Sequence, residues 1–268
     1  MQNINPLFIL QPLIVIAFSV ALMLYWYKKR HFHANIWLFS LIAYGGAIAL
    51  KYAIQLPTIN VMKDLGNPFI LGAYYGVQTM FLEVGLAYVI AYYAFKRGGL
   101  ERKDAEAYGS GLAFWENAGF LSALSLVNLV AYYLILSGTG SLADLTYNQL
   151  TTNAPGLFAS NLEALAGVGI GVLERISSAM IHIAWGYLCV MALVYRKKEL
   201  FLIALPMGLV DFLVPFVQVI GAVLFEVIIF VLAVASVFVA WYATKRVAGQ
   251  VSAPQPPSTL NPAATSHP

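Results

Sequence analysis

The sequence predicts an all-α fold, a polytopic membrane bundle of seven transmembrane helices, from its composition, the length of its apolar stretches and the placement of its charges. Of the 268 residues, 60% are hydrophobic and 10% are charged, whereas soluble domains carry roughly 25% charged residues. The 15 basic and 12 acidic side chains cannot cover the surface of a soluble enzyme of this length. The many large apolar residues also exclude disordered and fibrous chains.

Seven apolar stretches approach or exceed the roughly 20 residues needed to cross a hydrocarbon core. The fifth is too long for one perpendicular crossing, so we expect it to begin as an interfacial or tilted helix. The sixth carries Pro206 and Pro215 and should be kinked there. We assign one membrane domain to residues 1–246 and a disordered tail, rich in Pro, Ser and Ala, to residues 247–268. The stretches lie near 7–27, 35–56, 69–95, 108–136, 162–195, 199–218 and 220–244.

Basic residues predict the orientation of the chain. Most lysines and arginines follow the first, third, fifth or seventh stretch, and so lie on one side of the membrane. Cytoplasmic loops are enriched in these residues, so we expect an outside amino terminus and a cytoplasmic carboxyl terminus, in a multi-pass protein of the cell membrane. The outer segment 137–160 is polar and should form surface chain with one short helix.

Ionisable side chains within the predicted spans give the main functional signal. A charge at the bilayer centre costs roughly 2.5–3.5 kcal/mol, so these groups should face one another or an aqueous cavity. For Lys51, Glu83 and Glu226 we favour structural pairing, with Lys51 against Glu83. The full set comprises Lys51, Glu83, Glu116, Glu174, Arg175, His182, Asp211 and Glu226.

Three spans supply the candidate site. In the fifth, Glu174, Arg175 and His182 lie on one stripe of small and polar side chains, which should face protein or water. In the fourth, Glu116 suits a general base in a largely apolar pocket, or an ordinary interhelical hydrogen bond. In the sixth, Asp211 lies between two prolines and should line a wet cavity or neutralise a buried base.

Four segments carry a family resemblance, namely WENAGF, SNLEAL, LERISSAMIH and PMGLVDF. In this order they resemble the intramembrane metalloprotease superfamily of CAAX prenyl proteases and PrsW-like proteins, particularly its YhfC-like branch. The resemblance covers roughly residues 105–215. It implies a hydrolase that cleaves peptide bonds near the membrane, with a glutamate that activates water.

The resemblance also implies roles for individual residues and a cofactor. Glu116 is expected as the base, with Glu163, Glu174 and Arg175 as further catalytic-motif residues. His182 and Asp211 are expected as metal ligands, for zinc or another divalent ion. The expected partners are the lipid bilayer and a membrane-protein or peptide substrate, and no nucleic acid.

Departures from the family pattern leave other functions open. Trp115 replaces one of two paired glutamates, Asn161 stands at the end of a motif that has lost its histidine, and Met207 stands where another histidine is expected. The chain therefore fits either an active protease or a degenerate, non-catalytic relative. A carrier or proton-relay protein predicts charges spread over several depths, and a membrane scaffold predicts a dry interior.

Overall fold

The computed structural model describes residues 3–252, and every regular element in that range is a helix. Seven of the helices are long and apolar enough to cross a membrane, which confirms the predicted all-α, seven-span architecture. The remaining helix, α5, lies in the segment that was expected to hold one short helix. The helices are α1 (Leu10–Arg30), α2 (Asn35–Asp64), α3 (Pro68–Lys96), α4 (Arg102–Leu136), α5 (Ser141–Asn153), α6 (Asn161–Val194), α7 (Lys198–Ile220) and α8 (Ala222–Ser252).

The last helix runs beyond the predicted domain boundary. We expected the membrane domain to end at residue 246, whereas α8 continues to Ser252. The rest of the predicted tail, 253–268, lies outside the described residues.

Helix α6 forms the centre of the bundle. Its apolar stretch is 72% buried, against at most 33% in the other candidate spans. It runs as one uninterrupted helix of 34 residues, and the expectation that it begins in an interfacial or tilted position stays a prediction. It begins with a capping box, in which Ser160 and Glu163 satisfy each other's backbone N–H groups. Because the other spans pack around it, polar groups on α6 meet side chains from several helices.

Glycines allow the backbones of α4 and α6 to touch. A Cβ atom on Gly109 would lie 2.6 Å from the carbonyl oxygen of Ile183, closer than real Cβ contacts allow. A Cβ atom on Gly186 would lie 3.1 Å from the backbone nitrogen of Gly109. This close approach fixes the depth at which polar residues of α4 and α6 face each other.

Three spans are interrupted near their middles. Helix α3 has a π-helical segment at Thr79–Val84, and α4 has one at Trp115–Ser122. In α7, both predicted kink prolines lie in a 3₁₀ segment, Leu205–Phe216, so that span is irregular where the prolines indicated. π-helical turns are rare and frequently occur at functional sites. The two π-helical segments hold Glu83 and Glu116, which contact polar side chains of α6.

Candidate active site

Polar side chains from four spans line one cavity inside the bundle. The π segments supply Glu83 and Glu116, and the 3₁₀ segment supplies Asp211. The cavity measures about 130 Å³, which is room for several water molecules. Its apolar walls include Trp185, Phe225 and Ile229, and its polar lining consists of Thr79, Glu83, Glu116, Glu174, Arg175, Ser178, His182 and Asp211.

Lys51 of α2 lies beside this lining and joins α3 to α7. Its Nζ donates to Thr79 Oγ1 at 2.6 Å, to Glu83 Oε1, and to Asp211 Oδ2 at 3.4 Å. Thr79 Oγ1 in turn donates to the same Asp211 oxygen. An ammonium group has three N–H donors, so all of them have oxygen acceptors here. The predicted pairing of Lys51 with Glu83 is thus confirmed.

His182 lies between two glutamates. Its Nδ1 is 2.9 Å from the carbonyl oxygen of Ser178 and 3.0 Å from Glu116 Oε2. Because a carbonyl oxygen can only accept, Nδ1 must carry a proton. The other nitrogen, Nε2, is buried, lies 3.4 Å from Glu83 Oε2, and meets hydrogen-bond geometry with no atom of residues 3–252. The imidazole therefore bridges the acids of α3 and α4.

Glu116 is held by side chains of α6. Ser178 Oγ donates to Glu116 Oε2 at 2.7 Å, and Arg175 Nη1 lies 3.5 Å from Glu116 Oε1. The same Nη1 donates to Asn117 Oδ1 at 3.3 Å, and Nη2 donates to Glu174 Oε1. These contacts orient the Glu116 carboxylate toward His182.

Acidic and basic groups alternate through the site, in the order Asp211, Lys51, Glu83, His182, Glu116, Arg175, Glu174. The ends of this series are the most exposed members. The side chains of Glu174 and Asp211 are 43% and 35% exposed, against 6% for His182. The series is therefore least enclosed by protein at its two terminal acids, and its middle is buried.

Five of the six predicted site residues line this cavity. They are Glu116, Glu174, Arg175, His182 and Asp211. The sixth, Glu163, is an exposed residue at the start of α6, where its Oε2 accepts from the Ser160 backbone N–H at 3.0 Å. Its catalytic role stays a prediction from the motif.

Two buried acids differ from their sequence-based interpretation. Glu83 was expected only to pair with Lys51, but it also faces His182 in the middle of the site. Glu226 was expected to pair as well, yet it is buried, and within residues 3–252 it makes no ion pair and its Oε2 has no hydrogen-bond partner. Thr79 was not predicted as a site residue. Thr79 lies four residues before Glu83, on the same helical face, and this spacing could have indicated it as a site residue.

Comparison with known families identifies the family of this chain. The family described as YhfC intramembrane metalloprotease matches residues 13–239, well beyond the 105–215 covered by the motif resemblance. The chain belongs to the YhfC intramembrane metalloprotease family. It is accordingly an integral, multi-pass membrane protein placed in a lipid bilayer. No curated protein and no solved structure gives a significant match.

Membership of a metalloprotease family implies a divalent metal, and the donor set can be tested against that requirement. A hydrolytic zinc site offers three protein ligands and one open position. His182 Nε2 is a suitable metal ligand, because among the described residues it makes no hydrogen bond. However, across the part of the chain that the structure describes, no three His, Cys, Asp or Glu side chains are arranged to hold a metal. Lys51 holds Glu83 and Asp211, and Arg175 holds Glu116. In this arrangement the described residues do not fit a metal.

Proposed function

We propose that this protein hydrolyses peptide bonds of a membrane-protein or peptide substrate within the bilayer, with Glu116 as the general base. Family membership supports the reaction class. The observation that carries the proposal is the contact of Glu116 with His182 at 3.0 Å, on the wall of a cavity large enough for water. Neither residue is adjacent to the other in sequence, so the pair exists only because α4 and α6 pack closely.

The proposed step needs only groups of this chain and one water molecule. Glu116 takes a proton from a water in the cavity as the water oxygen bonds to the carbonyl carbon of the scissile peptide. The same carboxyl then returns the proton to the departing nitrogen as the C–N bond breaks, so atoms and protons balance. Ser178 Oγ donates to Glu116 Oε2, and His182 Nδ1 lies 3.0 Å from the same oxygen, so both side chains position the Glu116 carboxylate.

Arg175 is proposed as the electrostatic partner of this reaction. Its guanidinium lies 3.5 Å from Glu116, next to the volume in which the substrate carbonyl would become an oxyanion. A fixed positive charge in an enclosed site stabilises developing negative charge more strongly than the same charge in water. Glu174 accepts from the other nitrogen of Arg175 and so fixes the guanidinium orientation.

The metal ligands and the membrane orientation predicted from the sequence are parts of this proposal. His182 and Asp211 remain the expected ligands of zinc or another divalent ion, but Lys51 and Thr79 already donate to Asp211. The orientation with the amino terminus outside and the carboxyl terminus in the cytoplasm follows from the basic residues alone.

A non-catalytic role within the same family is the second candidate. It is supported by the internal ion pairs, because Glu83 and Glu116 each already have a basic partner. A carrier is less supported, since the charges gather around one cavity instead of lying at several depths. The two candidates within the family differ in one measurable property, which is turnover of peptide.

Hydrolysis can be tested with the purified full-length protein in liposomes. The probe is a defined mixture of synthetic apolar, membrane-inserting peptides, and cleavage products are detected by mass spectrometry. We expect cleavage by the native chain and a fall of at least about 100-fold in Glu116→Gln, since general base catalysis contributes roughly 10²–10⁴-fold. Glu199→Gln is the matched control, because it makes the same change at an exposed acid outside the cavity. Glu163→Gln tests separately whether the motif-based role of Glu163 holds.

Equal cleavage by the native protein and Glu116→Gln would refute the role of Glu116. Absence of cleavage in the native protein, with every probe peptide intact, would support the non-catalytic candidate. A loss in Glu163→Gln equal to that in Glu116→Gln would restore the motif-based role of Glu163.

A further inference from the structure

The cation that contacts the acids of α3 and α7 is the side chain of Lys51. We propose that the Lys51 ammonium is the resident cation of the centre, bound to Glu83 beside the place where a divalent metal held by Glu83 and His182 would lie. This inference concerns which cation organises the acids, and it does not depend on whether the protein hydrolyses peptides.

The contacts of Lys51 resemble a coordination shell of oxygen atoms. Its Nζ contacts Glu83 Oε1, Thr79 Oγ1 and Asp211 Oδ2, which come from two spans other than its own. The side chains of Lys51 and Glu83 are 13% and 8% exposed, so water screens their attraction little. A lysine reaches this depth in a bundle only when acceptors are available for its three donors.

The facing atoms of Glu83 and His182 are spaced like two ligands of one metal. Zinc bonds of roughly 2.0–2.2 Å in a tetrahedron separate neighbouring ligand atoms by about 3.4 Å. The distance between Glu83 Oε2 and His182 Nε2 is 3.4 Å. Glu83 Oε2 and His182 Nε2 thus form one edge of a possible metal tetrahedron, here called the Glu83–His182 edge. His182 Nδ1–H donates to a backbone carbonyl, as the second nitrogen of metal-bound histidines usually does.

Lys51 prevents the Glu83–His182 edge from gaining the third ligand that a metal site needs. A third ligand would have to come from Asp211, the remaining cavity acid that contacts Lys51, but Asp211 Oδ2 accepts from both Lys51 and Thr79. The other oxygen of Glu83 is also bound to Lys51. A divalent ion between Glu83 and His182 would therefore lie within a few ångströms of a buried ammonium, where the low dielectric strengthens the repulsion between the two charges.

Removal of the Lys51 charge should consequently create a metal site. In Lys51→Met, Glu83, His182 and Asp211 lose their shared cation while the methylene stem is largely kept. We expect this variant, purified and dialysed against Zn²⁺, to bind about one equivalent, and the native protein to bind less than about 0.1 equivalent, by mass spectrometric metal analysis. Lys63→Met is the matched control, because it removes an exposed lysine from the same helix.

Further variants identify the metal ligands and keep the test valid if Lys51→Met does not fold. Zn²⁺ binding should be lost in the double variants Lys51→Met/His182→Ala and Lys51→Met/Glu83→Gln. Lys51→Arg, which keeps a positive charge, should bind no Zn²⁺. In thermal unfolding, excess Zn²⁺ should raise the Tm of Lys51→Met by at least about 3 °C and leave that of the native protein unchanged.

Two results would overturn the inference. One is a full equivalent of Zn²⁺ in the native protein that disappears in His182→Ala or Glu83→Gln, since a metal would then be the resident cation. The other is a folded Lys51→Met variant that binds no Zn²⁺. If Lys51→Met does not fold, the metal content of the native protein and of Lys51→Arg still decides the question. Peptide cleavage is measured separately, so either proposal can fail alone.

Discussion

A double-mutant cycle between Lys51 and Glu83 measures how strongly the centre depends on its internal cation. Lys51→Met removes the ammonium and leaves the buried Glu83 carboxylate with only His182 beside it. Breaking a buried ion pair by removing one partner costs about 3–5 kcal/mol. Because Lys51 and Glu83 are only 13% and 8% exposed, solvent screening reduces this cost little, and we expect about 3 kcal/mol or more for Lys51→Met.

Removing the acidic partner of the pair should cost less than removing Lys51. Glu83→Gln leaves Lys51 with Asp211, which lies 3.4 Å away, so the ammonium keeps one acidic partner. We expect about 1–3 kcal/mol for this variant. In the double variant no charge of the pair remains, so its cost should be lower than the sum of the single costs by at least about 1.5 kcal/mol.

The free energy of unfolding can be followed in detergent micelles through the intrinsic fluorescence of the five tryptophans. Lys63→Met reports the effect of losing an exposed lysine from the same helix and should stay within about 0.5 kcal/mol of the native protein. Single costs that add within about 0.5 kcal/mol in the double variant would show that the two side chains do not interact, and the reasoning would be refuted.

Further predictions concern helix contacts and the unpaired acid. Gly109→Ala should destabilise the protein by about 1–3 kcal/mol in the same unfolding assay, because the added methyl group meets the α6 backbone; an unchanged stability would contradict the close approach. Ser160→Ala should cost about 1 kcal/mol through loss of the α6 cap and leave peptide cleavage unchanged. Glu226→Gln should be tolerated within about 0.5 kcal/mol, since Glu226 has no ion pair to lose among the described residues; a cost like that of Lys51→Met would reveal a partner.

The architecture was readable from the sequence because hydropathy and length directly reflect the cost of placing polar backbone and side chains in hydrocarbon. The same physics identified the site, since charges such as Glu116, His182 and Asp211 are tolerated inside a bundle only where they meet one another or water. Their convergence on one cavity follows from that requirement.

The central role of Glu83 was not readable, because it depends on a local change of helix type. A π-helical turn rotates the residues that follow it relative to a regular α-helix, and hydropathy does not register such a shift. The segment Thr79–Val84 thereby presents Glu83 to both Lys51 and His182. The pairing with Lys51 could be predicted from charge alone, whereas the contact with His182 required the packing of α3 on α6.

Glu163 illustrates a different limit. Its motif position suggested catalysis, while the spacing Ser160-x-x-Glu163 is also the signature of a helix capping box. The structure contains that capping box at the exposed start of α6. Local sequence patterns of this kind support two roles, and only the position relative to the cavity distinguishes them.

The central claim is that a lysine, and not a metal, organises the acids of this membrane-embedded site. The most direct measurement is an anomalous difference map at the zinc edge, from crystals of the native full-length protein grown with Zn²⁺. The account predicts no anomalous peak between Glu83 and His182, with density for the Lys51 ammonium against Glu83 and Asp211. An anomalous peak within ligand distance of His182 Nε2, with Lys51 turned away, would contradict it.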